Sequence, residues 1–146
     1  MNESIPDLGL LVRKTTIRMN RLVDKFCAQY RLSTAQFNVI NYIGSQPNAT
    51  CPQSNLETAL GIKRSATAIM VQRLERKGLL RRIIVPSDRR KRLIKLSPAA
   101  LELLPAFKHF INSRQQELLD NFSENELQTF VKILNFMGNR INEGNK

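Results

Sequence analysis

The stretch of sequence that decides the fold is residues 53–97, QSNLETALGIKRSATAIMVQRLERKGLLRRIIVPSDRRKRLIKLS. Its first eight residues suit a short helix, and Gly61 follows them at a position where a left-handed residue commonly ends a helix. Ser65 is expected to cap a second helix, which Gly78 closes. Two short helices joined by a glycine turn predict a helix-turn-helix over residues 53–77.

The remainder of this stretch, residues 79–97, predicts a β-hairpin. Residues 79–85 and 92–97 alternate in part between apolar and basic side chains, and the turn PSDRRK at 86–91 separates them. A helix can enter the major groove of DNA while such a hairpin, or wing, reaches an adjacent minor groove. The order of these elements predicts a winged helix-turn-helix lobe over residues 33–97.

Long amphipathic helices are predicted on both sides of this lobe. In residues 7–31 apolar side chains recur at spacings of three and four, and residues 98–143 contain two more such patterns. Their apolar stripes offer more surface than the lobe can cover, so dimerisation is expected to bury them. The expected fold is mainly α with a small β-hairpin wing, in a single domain of residues 1–146 whose N- and C-terminal helices dimerise.

Local capping signals mark the starts of the flanking helices. Ser33 and Gln36 form an S-x-x-Q box, and Ser123 and Glu126 form an S-x-x-E box. Ser97 precedes a proline at the first position of another helix, where proline is favoured. These signals predict three helices that begin next to residues 33, 97 and 123.

Positive charge is concentrated in the middle of the chain. The 146 residues carry a formal net charge of +11 at pH 7. Residues 63–95 contain twelve Lys or Arg against two acidic residues, whereas residues 1–62 and 96–146 are close to balance. So many like charges on one segment repel one another unless an anionic partner approaches. We therefore expect double-stranded DNA as the partner.

The residue inventory disfavours several classes of function. The chain contains one histidine, His109, and no glycine-rich phosphate loop, nucleophile elbow or metal-ligand cluster, so we expect no enzyme, no cofactor and no metal. It contains no apolar run of membrane-spanning length, and residues 1–10 lack the layout of a secretory signal. A cytoplasmic protein without a membrane partner is expected. Cys27 and Cys51 are expected to be reduced, partly buried thiols.

The sequence also resembles the MarR family of bacterial transcriptional regulators, over roughly residues 8–142. The resemblance includes the start of the second helix, both helices of the helix-turn-helix, a D-x-R wing signature and the end of the second wing strand. In chain order, the segments are LSTAQF at 32–37, QSNL at 53–56, LGI at 60–62, RSAT at 64–67, LERKGLL at 74–80, DRR at 88–90 and LSP at 96–98.

This resemblance implies a homodimer formed by the first and last helices, with two winged lobes spaced for a palindromic operator. It also implies a repressor whose DNA binding is weakened by a small-molecule effector, and an effector cleft is expected near Phe37 and Phe107. Within the D-x-R signature, Arg90 is expected to enter the minor groove while Asp88 holds the wing loop in shape, through a salt bridge or turn hydrogen bonds.

The residues expected to meet DNA lie at the start of the first short helix, on the recognition helix and on the wing. They are Ser54, Lys63, Arg64, Ser65, Ala66, Ala68, Ile69, Gln72, Arg73, Asp88, Arg89, Arg90, Lys91 and Arg92. Gln72 suits adenine, and Arg73 suits guanine or phosphate. Ser54 lies where helix amides attract a phosphate. Ile69 is less polar than the residues that usually face a DNA groove. The alternative that Ile69 belongs to the core therefore remains open.

Two alternatives remain open. Positive charge also gives a chromatin-type protein nonspecific affinity for any nucleic acid. RNA-binding modules, however, present stacking aromatic side chains, and residues 43–106 contain no Phe, Tyr or Trp. The other alternative is a cysteine redox-sensing regulator, which requires a thiol with a lowered pKa and access to solvent.

Overall fold

The computed structural model describes residues 4–88 and 90–143, the last four of these by their backbone alone. A single turn of 3-10 helix at Pro47–Ala49 precedes the first strand. The helices and strands of the described residues are α1 (Leu8–Ala28), α2 (Thr34–Gly44), β1 (Thr50–Pro52), α3 (Gln53–Leu60), α4 (Arg64–Arg76), β2 (Leu80–Ile84), β3 (Arg92–Leu96), α5 (Pro98–Asn121) and α6 (Glu124–Glu143).

The two capping boxes of the flanking helices are confirmed. In the box that starts α2, the backbone N–H of Gln36 donates to Ser33 Oγ, and the backbone N–H of Ser33 donates to Gln36 Oε1. Both distances are 3.1 Å. The same reciprocal pair joins Ser123 and Glu126 at the start of α6. Hydrogen bonds from the backbone and side chain of Ser123 lower the pKa of the Glu126 carboxyl, so the cap weakens only as the pH falls through this lowered value.

The β-sheet has three antiparallel strands in the order β1-β3-β2. The predicted hairpin is present, with Leu80 opposite Leu96 and Ile84 opposite Arg92. The additional strand β1 pairs with the other edge of β3, where Cys51 lies opposite Ile94. A three-residue strand that ends in proline has no recognisable period, so the sequence did not predict it.

The contacts divide the chain into two compact units, Met1–Leu104 and Pro105–Lys146. The core of the first unit lies where α2, α3, α4 and the sheet meet. Its fully buried side chains come from all of these elements: Val39, Ile40, Ile43, Leu56, Thr67, Val71, Leu74, Ile94 and Leu96. This core places the helix-turn-helix and the wing on one scaffold.

Both units leave large apolar side chains exposed. On α1, within the range predicted to be amphipathic, these are Leu8, Leu10, Leu11, Val12, Ile17, Met19 and Leu22. In the second unit they include Leu118, Leu119, Phe122, Phe130, Val131, Ile133, Leu134 and Phe136. Contiguous apolar surface of this kind usually marks an interface. Within the described part of the chain, no helix combines the length and apolar character that crossing a bilayer requires.

Candidate nucleic-acid interface

Helices α3 and α4 form the predicted helix-turn-helix. Gly61 ends α3 in the left-handed conformation, with φ of 64°, and the Ile62 amide donates to Glu57 O at 3.1 Å. A side chain would disfavour this backbone conformation, because its Cβ approaches the following carbonyl oxygen. Glycine at this position therefore sets the turn that aims α4.

Replacement of Gly61 by alanine is expected to lower the free energy of unfolding by about 1 kcal/mol. No atom lies within 4 Å of the added Cβ, so the cost would come from the backbone conformation and not from a clash. Urea denaturation measures it. Gly61→Asn is the matched control, because asparagine tolerates the left-handed region better. Equal losses in the two variants would contradict this explanation.

Helix α4 begins two residues earlier than a cap at Ser65 predicts. Its N-cap position is Lys63, which makes no side-chain capping hydrogen bond, so the prediction that Ser65 caps this helix is wrong. Instead the Thr67 hydroxyl donates back to Lys63 O at 3.0 Å, and Thr67 itself is buried. Ser65 lies inside the first turn of the helix, where it is exposed.

The outer side of α4 carries the predicted recognition residues. Thr67, Val71 and Leu74 face the core, and Ala68 is half-buried. Ile69 is 51% exposed and so does not belong to the core. The remaining predicted residues of this segment are all exposed: Lys63, Arg64, Ser65, Ala66, Gln72 and Arg73. Side chains that suit base edges and phosphates thus share one accessible surface.

The wing loop is shaped by Asp88. Its Oδ1 accepts from the Arg90 amide at 3.0 Å, its backbone amide donates to Val85 O at 3.1 Å, and its carbonyl accepts from the Lys91 amide at 3.2 Å. Of the two expected ways in which Asp88 could hold the loop, the structure contains the turn hydrogen bonds. Arg90 is exposed beside it. Arg89 lies outside the described residues.

A cleft of about 630 Å³ brings together predicted residues from three segments. Ser54 from the start of α3, Arg64 from the start of α4, and Arg90, Lys91 and Arg92 from the wing all line it. No side chain caps the start of α3, so its first amides are open to an anion. The cleft therefore combines helix amides with four basic side chains.

Gln53 also lines this cleft, and the sequence analysis did not select it. The residue is only 8% exposed, and its Oε1 accepts no hydrogen bond from any described residue. Gln53 lies three positions before the buried Leu56, on the inward side of α3. The spacing of three residues between Gln53 and Leu56 could have indicated that Gln53 faces inward. Many ordinary core positions have the same spacing, so it does not single out a site residue.

The charge of this surface is largely uncompensated. Among the described basic residues of 63–95, Arg82 forms an ion pair, with 3.3 Å between its Nε and Glu75 Oε2. Both of these side chains are well exposed, so the pair contributes little to stability. The other described arginines of this segment make no ion pair with described residues. Such a surface attracts a polyanion, and its attraction weakens as salt screens it.

The predicted effector residues and the cysteines are buried. Phe37 packs edge-on against Phe26 with 6.0 Å between the ring centroids, and Phe107 is fully buried. Burial raises the pKa of the Cys27 thiol, and the carboxylate of Asp24 raises it further. Burial also raises the pKa of Cys51. No three His, Cys, Asp or Glu residues within the described ranges are grouped to hold a metal ion.

These thiols are expected to react slowly. A raised pKa lowers the thiolate fraction at neutral pH, and only the thiolate is the nucleophile. Modification by a chromogenic disulfide should be at least about a hundredfold slower in the native protein than in guanidinium. Peroxide should leave DNA binding unchanged. Fast native modification that abolishes DNA binding would instead support the redox-sensing alternative.

Comparison with known proteins gives one consistent family. Residues 32–91 match the model of the MarR family. The chain is 30% identical over 129 residues to the HTH-type transcriptional regulator PecS of Dickeya dadantii, covering 87% of this chain and 76% of PecS. These matches include the helix-turn-helix, and the family model extends to the end of the wing loop at residue 91.

Solved structures agree with this comparison. The transcription regulator MarR from Oenococcus oeni superposes with a TM-score of 0.80 at 30% identity, covering 90% of this chain and 98% of that one. A mutant MarR from E. coli in complex with operator DNA superposes with a TM-score of 0.75 at 27% identity, covering 93% and 96%. With its winged fold and its sequence likeness to PecS, the chain belongs to the MarR family of transcriptional regulators.

Proposed function

We propose that this protein is a homodimeric repressor that binds a palindromic operator in double-stranded DNA and is released by a small-molecule effector. One observation carries the DNA-binding part of the proposal. The exposed side of α4 and the Asp88-braced wing lie on a scaffold with one core, and their basic side chains have almost no acidic partners. A helix and a wing placed in this way suit adjacent grooves of one duplex.

The roles of individual side chains follow from their chemistry and exposure. Gln72 and Arg73 on α4 are proposed to bind base edges in the major groove, and Ile69 is proposed to contact thymine methyl groups. Arg90 is proposed to enter the minor groove, whose negative potential attracts arginine. Ser54 and the open amides of α3 are proposed to hold a phosphate.

The exposed apolar side chains support the homodimer. Contiguous apolar surfaces on α1 and on α6 remain accessible in a single copy of the chain, which is costly in water. A second copy presents the same surfaces, as a two-fold symmetric interface requires. Two copies would carry two winged lobes, and the operator would then have two half-sites.

The effector part of the proposal is tested separately, because Phe37 and Phe107 are both buried. A ligand that reaches Phe37 must displace packed side chains such as Phe26, which lies edge-on against it. Such a ligand would stabilise a conformation other than the one described here. It would weaken DNA binding only to the extent that it binds this second conformation more tightly than the first. A thermal-shift screen followed by release of bound operator identifies it.

Selection of bound fragments from random duplex DNA tests the proposed function. The expected result is a palindromic consensus that the protein binds at least about a thousandfold more tightly than a scrambled duplex at physiological ionic strength. Equal affinity for all duplexes would show that the protein is a nonspecific nucleic-acid binder. A consensus without two-fold symmetry would contradict the dimeric arrangement, although it would still support a sequence-specific regulator.

A further inference from the structure

The C-terminal end of the recognition helix α4 is held by hydrogen bonds from two directions. Lys77 Nζ donates to Arg31 O at 2.7 Å and to Gln36 Oε1 at 3.0 Å. At the next residue, Gly78 O accepts from Ser97 Oγ at 2.6 Å. Lys77 thus joins the end of α4 to Arg31 in the connection that follows α1 and to Gln36 in the first turn of α2, both more than 40 residues away in the sequence.

Both acceptors of Lys77 are fixed by local structure. Arg31 adopts the left-handed conformation with φ of 56°, and the amides of Arg31 and Leu32 donate to Ala28 O and Cys27 O, which closes α1. Gln36 Oε1 already accepts from the Ser33 amide in the capping box of α2. The ammonium group therefore binds a rigid pair of oxygens, whereas most lysine side chains are solvated and mobile.

We propose that Lys77 is a positioning residue for sequence-specific DNA recognition, a role that rests on the proposed function. Burial of Thr67, Val71 and Leu74 fixes which face of α4 lies against the core, but these three residues lie about one to three turns before Lys77 at the end of the helix. Hydrogen bonds are directional. The two bonds of Lys77 fix the end of α4 and so the direction of the side chains that bind base edges.

Specificity depends on this geometry more than overall affinity does. A base-edge contact requires a donor and an acceptor at hydrogen-bonding distance and angle. Attraction to phosphates depends mainly on charge and tolerates a displaced helix. Loss of the Lys77 bonds should therefore weaken binding to the operator much more than binding to an unrelated duplex.

The test compares Lys77→Met with Arg76→Met in the full-length protein. The probes are a duplex selected from random DNA by the native protein and a scrambled duplex of the same composition, with affinities from fluorescence anisotropy below the unfolding transition of each variant. Arg76→Met removes one charge from the same helix end, at an exposed residue that makes no hydrogen bond with described residues through its side chain. Lys77→Met is expected to reduce the ratio of the two affinities by about tenfold, and Arg76→Met by less than about twofold.

Each other outcome overturns the proposal. An equal loss of affinity for both duplexes would make Lys77 a phosphate contact, and a lower melting temperature with an unchanged ratio would make its role only structural. Gln36→Glu keeps an acceptor for Lys77 and for the Ser33 amide, so it should preserve the ratio of the two affinities. A reduction of this ratio as large as that caused by Lys77→Met would also contradict the proposal. If the native protein itself does not distinguish the duplexes, the proposed function fails first.

Discussion

Replacement of Arg90 by alanine is expected to reduce affinity for the operator by about 10- to 100-fold. Arg90 is exposed at the tip of the wing, and its backbone amide donates to Asp88 Oδ1 at 3.0 Å, which holds the loop backbone at the residue that carries the guanidinium. Loss of this side chain would remove the proposed minor-groove contact and also one positive charge. Titration of labelled operator at two salt concentrations measures both effects.

Lys132→Ala is the control for the removal of a charge. Lys132 is an exposed residue of α6, outside the proposed DNA surface, so its loss should change the affinity by less than about twofold. Asp88→Ala leaves Arg90 in place but removes the hydrogen bond that shapes the loop, and it should produce an intermediate loss. Equal effects of Arg90→Ala and Lys132→Ala would exclude the wing as a DNA contact.

Substitution of Phe136 by glutamate is expected to convert the proposed dimer into monomers. Phe136 is 62% exposed in the single chain, so the charged side chain should not disturb folding of the helix that carries it. In a two-fold symmetric interface the substitution buries two unpaired charges, and the dissociation constant should rise by at least about a thousandfold. Sedimentation velocity should change from twice the 16.7-kDa chain mass to a single chain mass.

Gln128→Glu tests whether added charge alone has this effect. Gln128 is an exposed polar residue of the same helix, and the variant should remain dimeric. Monomeric Phe136→Glu should also lose most of its affinity for a palindromic operator while keeping weak affinity for any duplex, because each lobe would then bind alone. A native protein that sediments as a monomer would contradict the proposed dimer at once.

Most of the secondary structure was predictable because its signals are local. The capping boxes of α2 and α6, the left-handed glycines at 61 and 78 and the proline that starts α5 all act within one helical turn. Each of them is therefore visible as a short spacing in the sequence. The clustering of basic residues in 63–95 and the D-x-R signature likewise indicated the surface that the structure presents.

The features that sequence analysis missed depend on residues far apart in the chain. Strand β1 exists because β3 offers a free edge, and Gln53 is buried by the way in which α3 lies beside the wing. The bonds of Lys77 join segments more than 40 residues apart. Short-range patterns specified the family, the order of the elements and the charged surface, because helix caps, turns and charge act over a few residues. Only packing in three dimensions decided that a third strand pairs with β3 and what holds the end of α4, because those contacts form when distant segments come together.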